Sequence, residues 1–491
     1  MMAEFKVFPS EPVEKHTIKL SICDAYSPKV WVTQTHFWPL PDSSRAQRGY
    51  DILKEGLART LAEIPALSGT IGRTSDDPRD LVVVVDDDAH VEFAWENLVG
   101  KAEIPSYAQL KEDGFPLTGL VALCSQPVAL TPVHEGARML TAKLNYLDGG
   151  MALSFGFNHL LADAATVAEV ERIWSLHCAD VSNGTQQKHK LQLPESTIRE
   201  RLSKASSEAG PFDDEHWRVF PTTRSQLNLP RESVSKEAAL TVLEETKKAH
   251  LASIKSELEE TKWCMWKFSA EALGKLKNDA SLPSGEQWIS TMDALIGLFW
   301  SRLSFARQKS TEGHQESLML FPINIRQRLE PRIETGYIGN AVDIVVSKCS
   351  LSELESDRGL VTAAQHVRKA VSGWKESKWA AWLNMAANLP EDEAICPNPL
   401  SLLDTHNMGF NDYSKSQSNV LSWGSELGVV DRTRYMKPAS SLANCATAVI
   451  VHPRLADGGL EVAMTSTEHI KAALEKDKIF AQYASFVTTF T

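Results

Sequence analysis

The sequence feature that most constrains the fold is a run of strand-forming residues that ends at a histidine. Residues 139–158 read MLTAKLNYLDGGMALSFGFN, two apolar, β-prone stretches separated by Asp-Gly-Gly. A turn of this composition between such stretches predicts an antiparallel β-hairpin. Its second strand leads straight into His159, and the apolar positions of residues 165–178 repeat with helical spacing. His159 and Asp163 are therefore predicted to lie at a strand-to-helix junction.

A polar segment divides the chain. Residues 181–262 are rich in Lys, Glu and turn-forming residues and contain few large apolar side chains. A chain of 491 residues exceeds what one hydrophobic core usually holds. We therefore assign an N-terminal domain to 1–180, a crossover linker to 181–262 and a C-terminal domain to 263–491. Strand-like and helix-like stretches alternate in both halves, which predicts mixed α/β (α+β) domains.

Composition narrows the classes of partner and compartment. The net charge is −12 and the pI is about 5.7. Nucleic acid binding needs a positively charged surface, so this acidic charge disfavours it, and it also disfavours docking on anionic membranes. The seven cysteines are sparse, as in a reducing compartment. They form no CxxC pair, so no metal site is predicted. The N-terminus lacks a signal peptide's apolar core, and no uninterrupted apolar window of about 18 residues exists. We expect a cytoplasmic protein without membrane or nucleic acid partners.

His159 and Asp163 admit two interpretations from the residues alone. A histidine can take a proton from an attacking hydroxyl or amine, which accelerates such reactions by about 10²–10⁴-fold. Alternatively, His159 is a hydrogen-bonded loop residue beside the core. Asp163 lies four residues later, where a helical turn would bring it against His159, or it pairs with a cation and holds the loop in shape. Zinc ligation by His159 is disfavoured because the pattern is not HExxH.

Several segments resemble the BAHD acyltransferases in order and spacing. The segment FNHLLADAATV (157–167) resembles their HxxxD motif, and INIRQRLEPRIETGYIGNAV (323–342) resembles a long, specific family segment. Three shorter stretches agree as well: LARTLAEIPALSGTIGR (57–73), ISTMDALIGLFWSRLSFAR (289–307) and VLSWGSELGVV (420–430). The sequence is closer to the divergent fungal branch, typified by trichothecene 3-O-acetyltransferases, than to the plant branch.

This resemblance implies a fold and an activity. The fold would be two chloramphenicol-acetyltransferase-like domains with a solvent channel between them. The activity would be acyl-CoA-dependent O- or N-acyl transfer by a monomer, with acetyl-CoA or another acyl-CoA as co-substrate and no permanently bound cofactor. The expected acceptor is a hydroxyl, or an amine, of a hydrophobic secondary metabolite. Two alternatives stay open: a condensation-type enzyme that takes its acyl group from a carrier, and a catalytically silent ligand-binding homologue.

The resemblance also implies roles for single residues. His159 matches the general base, Trp423 matches an indole N–H donor to the oxyanion, and Asp163 completes the catalytic set as a brace for the loop. Arg326 matches the arginine that supports Asp163, with Arg328 as the other candidate, while Trp423 could instead be a core residue. Residues assigned to coenzyme A are Ser290, Thr291, Ser422 and Lys437, of which the first two are also able to cap the helix predicted over 288–308.

Three positions depart from the family pattern. Ala164 replaces the glycine of HxxxDG, and Leu421 replaces the threonine of TSW. The third departure is larger, since RTRYM (432–436) stands where the family motif DFGWG is expected. The basic side chains at this point are expected either to lie near a phosphorylated cofactor or to form a solvated turn: Arg432, Arg434 and Lys437.

Overall fold

The protein is described from a computed structural model of the 491-residue chain. The described residues are 2–40, 42–77, 79–101, 104–116, 133–204, 209–212, 217–221, 262–282, 287–307, 315–390, 393–397, 406–436 and 448–490. Lys437 and most of the predicted crossover lie outside them.

The strands in the described residues follow one another as β1 (Met2–Val7), β2 (His16–Lys19), β3 (Trp31–Pro39), β4 (Thr70–Arg73), β5 (Leu81–Val85), β6 (Val91–Asn97), β7 (Leu140–Leu147), β8 (Gly150–Asn158), β9 (Trp217–Pro221), β10 (Lys262–Phe268), β11 (Glu316–Asn324), β12 (Val342–Ser350), β13 (Glu393–Pro397), β14 (Met408–Asp412), β15 (Arg432–Met436), β16 (Ala448–Val451), β17 (Leu460–Ser466) and β18 (Ser485–Phe490).

The α-helices are α1 (Ile22–Ala25), α2 (Ala46–Glu63), α3 (Tyr107–Glu112), α4 (Ala164–Asn183), α5 (Glu195–Arg201), α6 (Ala270–Ala280), α7 (Thr291–Ala306), α8 (Leu351–Leu354), α9 (Gly359–Ser372), α10 (Glu376–Asn388) and α11 (Glu468–Lys476). Short 3₁₀ turns occupy Ser43–Arg45, Pro65–Ser68 and Phe480–Gln482.

Five strands of the first half, with β15 from the second, build a six-stranded mixed sheet in the order β1-β6-β7-β8-β3-β15. The predicted hairpin over 139–158 is present as β7 and β8, which pair antiparallel from Leu140 with Phe157 to Leu147 with Gly150. Gly149 turns the chain with a positive φ of 82°, a conformation that glycine adopts without strain. Helices α2 and α4 pack together, and the core between them and the sheet includes apolar side chains of α2, β8 and α4.

The second half builds a seven-stranded mixed sheet in the order β12-β11-β14-β16-β17-β10-β18. Helix α7 begins with the capping pattern expected from its sequence: the Ser290 side chain accepts from the N–H of Asp293, and the Asp293 carboxylate accepts from the N–H of Ser290. Packed chiefly against α9, α7 supplies a separate core with side chains of β10, β14 and β17. The predicted mixed α/β fold is confirmed, with one principal sheet in each half.

One strand connects the halves in a way that the sequence does not predict. Strand β15 comes late in the chain yet pairs antiparallel with β3, from Arg432 opposite Phe37 to Met436 opposite Thr33. It therefore forms the edge of the N-terminal sheet, whereas the predicted N-terminal domain ended at residue 180. Among the described residues no helix is both long and apolar enough to cross a membrane.

Candidate active site

His159 occupies the junction between β8 and α4. Its backbone N–H donates to the carbonyl oxygen of Val30 at 3.0 Å, and its own carbonyl oxygen accepts from the Asn340 side-chain amide at 2.9 Å. The first contact comes from the segment that leads into β3 and the second from the other half of the chain. Within residues 150–163 every residue is buried except His159, which is partly exposed. The junction thus leaves one residue, His159, partly open to solvent on a backbone that both halves fix.

Asp163 caps helix α4 and forms a buried ion pair. One carboxylate oxygen accepts from the backbone N–H groups of Ala165 at 3.1 Å and Thr166 at 2.9 Å. Arg326 donates to both carboxylate oxygens, Nη1 to Oδ2 at 2.7 Å and Nη2 to Oδ1 at 3.1 Å. The N–H of Ala341 adds a bond to Oδ2 at 3.0 Å. A planar guanidinium suits this two-point contact, which fixes the direction of both side chains.

The electrostatics keep Asp163 ionised. Burial by itself would raise the pKa of the Asp163 carboxyl, but the charge and hydrogen bonds of Arg326, with backbone N–H donors, outweigh burial and hold that pKa below its usual value. A carboxylate with five N–H donors around it is suited to holding the turn rather than to carrying a proton. Arg328, the other candidate partner, instead donates to the carbonyl oxygen of Val371 at 3.2 Å.

A second layer of hydrogen bonds supports this ion pair. Arg326 Nη2 and the Thr166 hydroxyl both donate to the carbonyl oxygen of Gly339, at 2.6 and 2.8 Å. The backbone N–H and the side-chain amide of Asn340 donate to Asp24 Oδ1, at 2.7 and 2.9 Å. Sequence reasoning missed Asn340 and Asp24. Asn340 lies within the segment 323–342 that carries the family resemblance, and that resemblance was the one feature of the sequence that pointed to Asn340.

Trp423 lies in the N-terminal core. Its side chain is fully buried and packs edge-to-face against Trp38 at 5.4 Å, Trp174 at 5.6 Å and His36 at 5.6 Å between ring centroids. Its indole N–H has no hydrogen-bond acceptor among the described residues, but the same holds for Trp31 and Trp38. The unpaired indole therefore does not single out Trp423 as a donor.

The residues assigned to coenzyme A lie on separate elements. Ser290 and Thr291 form the N-terminus of α7 in the second core, and the Ser290 hydroxyl accepts from the Asp293 N–H at 3.1 Å. Ser422 is exposed and forms a single β-bridge with Val429. With Lys437 outside the described residues, these contacts do not gather the four positions into one site.

The RTRYM segment corrects one of the two expectations for it. It is strand β15 rather than a solvated turn, and its Arg434 side chain is fully buried. Arg434 donates to the Glu461 carboxylate at 2.7 Å and to the carbonyl oxygens of Gly114 at 2.6 Å and Phe115 at 3.2 Å. Burial lowers the pKa of Arg434 from its usual value, although Glu461 opposes the shift. The charge of Arg434 is thus paired inside the fold, where its bond to Glu461 connects β15 to β17.

Two mixed sheets, with a His-x-x-x-Asp turn held by contacts from both halves, agree with the two-domain acyltransferase architecture that the resemblance implies. Residues 1–391 match the model of the Transferase family. The chain is 41% identical to acyltransferase clz6 of Cochliobolus lunatus, over 99% of both chains. It is 39% identical to acyltransferase M4 of a Phoma species, over 100% of this chain and 99% of that one. The chain belongs to the Transferase family of BAHD acyltransferases, and it is an acyl-transferring enzyme.

Solved structures agree on the fold. The crystal structure of F. graminearum TRI101 complexed with coenzyme A and T-2 mycotoxin matches with a TM-score of 0.73, at 16% identity, over 96% of this chain and 100% of that one. Vinorine synthase matches with a TM-score of 0.65, at 15% identity, over 99% of this chain and 100% of that one. The two-domain architecture expected from the resemblance is confirmed.

Proposed function

We propose that this enzyme transfers an acyl group, acetyl first among the candidates, from coenzyme A to a hydroxyl of a hydrophobic secondary metabolite, with His159 as general base. If the acceptor is an amine instead, the same reaction gives an amide. The observation that carries the proposal is the exposure pattern at the junction. His159 is the one partly exposed residue in 150–163, and contacts from both halves hold its backbone.

The chemistry follows from this placement. The imidazole of His159 accepts the proton of the acceptor hydroxyl while the oxygen attacks the thioester carbonyl carbon. A tetrahedral oxyanion forms, and a preorganised donor stabilises it. When the intermediate collapses, the carbon–sulfur bond breaks, and the leaving thiolate takes the proton from the imidazolium. The products are the ester and free coenzyme A. Asp163 takes no part in the proton transfer, because Arg326 and backbone donors occupy its carboxylate, and it acts as a positioning residue.

The names of the relatives support the choice of substrates. One is an eremophilane O-acetyltransferase of Penicillium roqueforti, 22% identical over 95% of this chain. TRI101 has been crystallised with coenzyme A together with T-2 mycotoxin or deoxynivalenol. Both names pair acetyl transfer or coenzyme A with a small-molecule acceptor, and we extend that combination to this chain.

The test of the base compares His159→Ala with a matched control. His469 is exposed on α11, so His469→Ala removes an imidazole without touching the junction. Each protein is mixed with acetyl-CoA and an extract of its source, the acylated products are identified by mass spectrometry, and the release of free coenzyme A is followed. We expect His159→Ala to fold normally and to lose at least about 100-fold in turnover. A rate within threefold of the control would refute the mechanism.

Trp423→Phe tests the proposed oxyanion donor. The phenyl ring keeps most of the packing against Trp38 and Trp174 but has no N–H. Loss of one oxyanion donor costs about 10²–10³ in kcat, so we expect a fall of that order with little change in KM. An unchanged kcat would assign Trp423 to the core alone.

The same assay decides between the remaining alternatives. A condensation-type enzyme would use an acyl group on a carrier protein and not acetyl-CoA. Here the residue before His159 is Asn158, whose side chain accepts from the Leu160 N–H at 3.1 Å and shapes the turn. A silent homologue would bind coenzyme A without turnover, and relatives at 39–41% identity that are named acyltransferases argue against it. The monomeric state, the cytoplasmic location and the domain limits stay predictions.

A further inference from the structure

A second cluster of histidines and carboxylates lies away from the proposed active site. Helix α4 carries His177 and Asp180 on one face near its C-terminal end, and the loop after it returns with His189. The Nε2 atom of His189 lies 2.8 Å from Asp180 Oδ2, and the two imidazole rings meet edge-to-face at 4.8 Å between centroids. One nitrogen or oxygen from each of these three side chains lies within 4.8 Å of the other two.

A second carboxylate lies beside this group. Glu63 is the last residue of α2, and its carboxylate lies 3.4 Å from His177 Nε2. The same carboxylate accepts the backbone N–H groups of His189 and Lys190, which fixes the loop against α2. Glu63 therefore holds the loop that carries His189 in place.

His177 is the member of this cluster that the described residues leave without a hydrogen bond. The His177 side chain is 3% exposed, and neither ring nitrogen makes a hydrogen bond to any described residue. Buried polar atoms are almost always satisfied, so an exception points to an absent ion or water. The nearby cations are each paired with another carboxylate: Arg59 with Glu55, Arg172 with Glu169 and Lys190 with Glu195.

We propose that His177, Asp180 and His189 form a site for one zinc ion. Two imidazoles and one carboxylate are ligands that zinc accepts, and a solvent molecule would complete a tetrahedral coordination. His189 and Asp180 keep a small exposed fraction, 13% and 9%, which gives an ion access.

The ion would fasten the start of the crossover. Residues beyond His189 lead into α5 and toward the second half, so a bond from α4 to this loop fixes where the crossover leaves the first domain. The sequence does not reveal the site, because its three ligands come from a helix and a loop and match no zinc motif.

The test measures zinc bound to the full chain. The protein is stripped with a chelator, incubated with zinc sulfate and passed through a desalting column, and the metal content is then determined by mass spectrometry. His189→Gln and Asp180→Asn test the site. His366→Gln is the control, because Cys349, Glu353 and His366 form the other group of potential ligands in the described residues. Circular dichroism establishes that each variant is folded.

We expect one zinc ion per wild-type chain and per His366→Gln chain, and an affinity at least about tenfold weaker in both site variants. The wild-type melting temperature should rise with zinc, since a ligand of the native state stabilises it by mass action. Two results would overturn the proposal. One is a wild-type chain that retains no zinc, which would assign the space beside His177 to water, and the other is a folded His189→Gln chain that binds zinc as tightly as the wild type.

Discussion

Replacing Asp163 by Asn isolates the charge of the buried ion pair. Asparagine is as good a helix cap as aspartate, so one oxygen can still accept from the N–H groups of Ala165 and Thr166. The other carboxylate oxygen becomes an amide nitrogen, which faces donors from Arg326 and Ala341 that lie 2.7 and 3.0 Å from that oxygen in the wild type. The substitution therefore removes two hydrogen bonds and the charge that balances the guanidinium, while the volume stays the same.

The burial of the ion pair determines how much unfolding free energy the substitution should remove. The side chains of Arg326 and Asp163 are 1% and 2% exposed, so water cannot replace the lost partner. Breaking a buried pair from one side costs about 3–5 kcal/mol. Asp163→Ala should cost about 0.5–2 kcal/mol more, because the helix also loses its cap. In the double variant Asp163→Asn with Arg326→Met the unpaired charge is gone, so its cost should be well below the sum of the two single costs.

Urea unfolding followed by tryptophan fluorescence and circular dichroism measures these differences. A chain with two cores need not unfold in one step, so the comparison uses the midpoint of the transition that the variant shifts. The control is Asp148→Asn, at an exposed position of the β7–β8 turn. If Asp163→Asn lies within about 1 kcal/mol of this control, or if the single costs add in the double variant, the ion pair does not hold the turn as argued.

Two further outcomes follow from the structure. The folded pKa of the Asp163 carboxyl is lowered, so its contribution to stability is present above the unfolded pKa of about 3.9 and is lost as the pH falls through the lower folded value. The urea midpoints of wild type and Asp163→Asn should therefore differ by a constant amount from pH 5 to 7 and converge only below about pH 4. Convergence already at pH 6 would contradict this assignment. Gly56→Ala should lower the melting temperature, because a Cβ on this α2 residue would lie 2.5 Å from the Cys178 sulfur and 3.1 Å from the Cys178 backbone nitrogen. Gly274→Ala on α6, where a Cβ would meet nothing within 4 Å, should instead stabilise the protein by about 0.5–1 kcal/mol. Equal shifts in the two variants would argue against close packing of α2 on α4.

The elements that the sequence predicted correctly depend on local chemistry. The β7–β8 hairpin follows from two β-prone stretches around an Asp-Gly-Gly turn, and the cap of α7 is Ser290, one of the two residues expected to cap this helix. Both signals lie within about 20 residues of chain, so tertiary context does not alter them.

The features that the sequence left out depend on contacts between distant residues. Strand β15 pairs with β3 across nearly the whole chain, and its buried Arg434 looks in the sequence like a surface charge. The partner is Glu461, which no local pattern connects to it. The Asp163–Arg326 pair was expected from the family resemblance and not from spacing. Asp24 and Asn340, and the side chains around His177, meet only because separate elements fold together.

The position of β15 also sets an order of events during synthesis. Strand β3 ends at Pro39, but its outer edge is covered only by residues that begin at Arg432. At about 5–20 residues per second, roughly 20–80 seconds of translation separate the two strands. For that time the nascent N-terminal sheet exposes an unpaired strand edge, which is a template for pairing with other chains. A ribosome that stalls before this strand would therefore release a product with an intact proposed base and an open, aggregation-prone sheet.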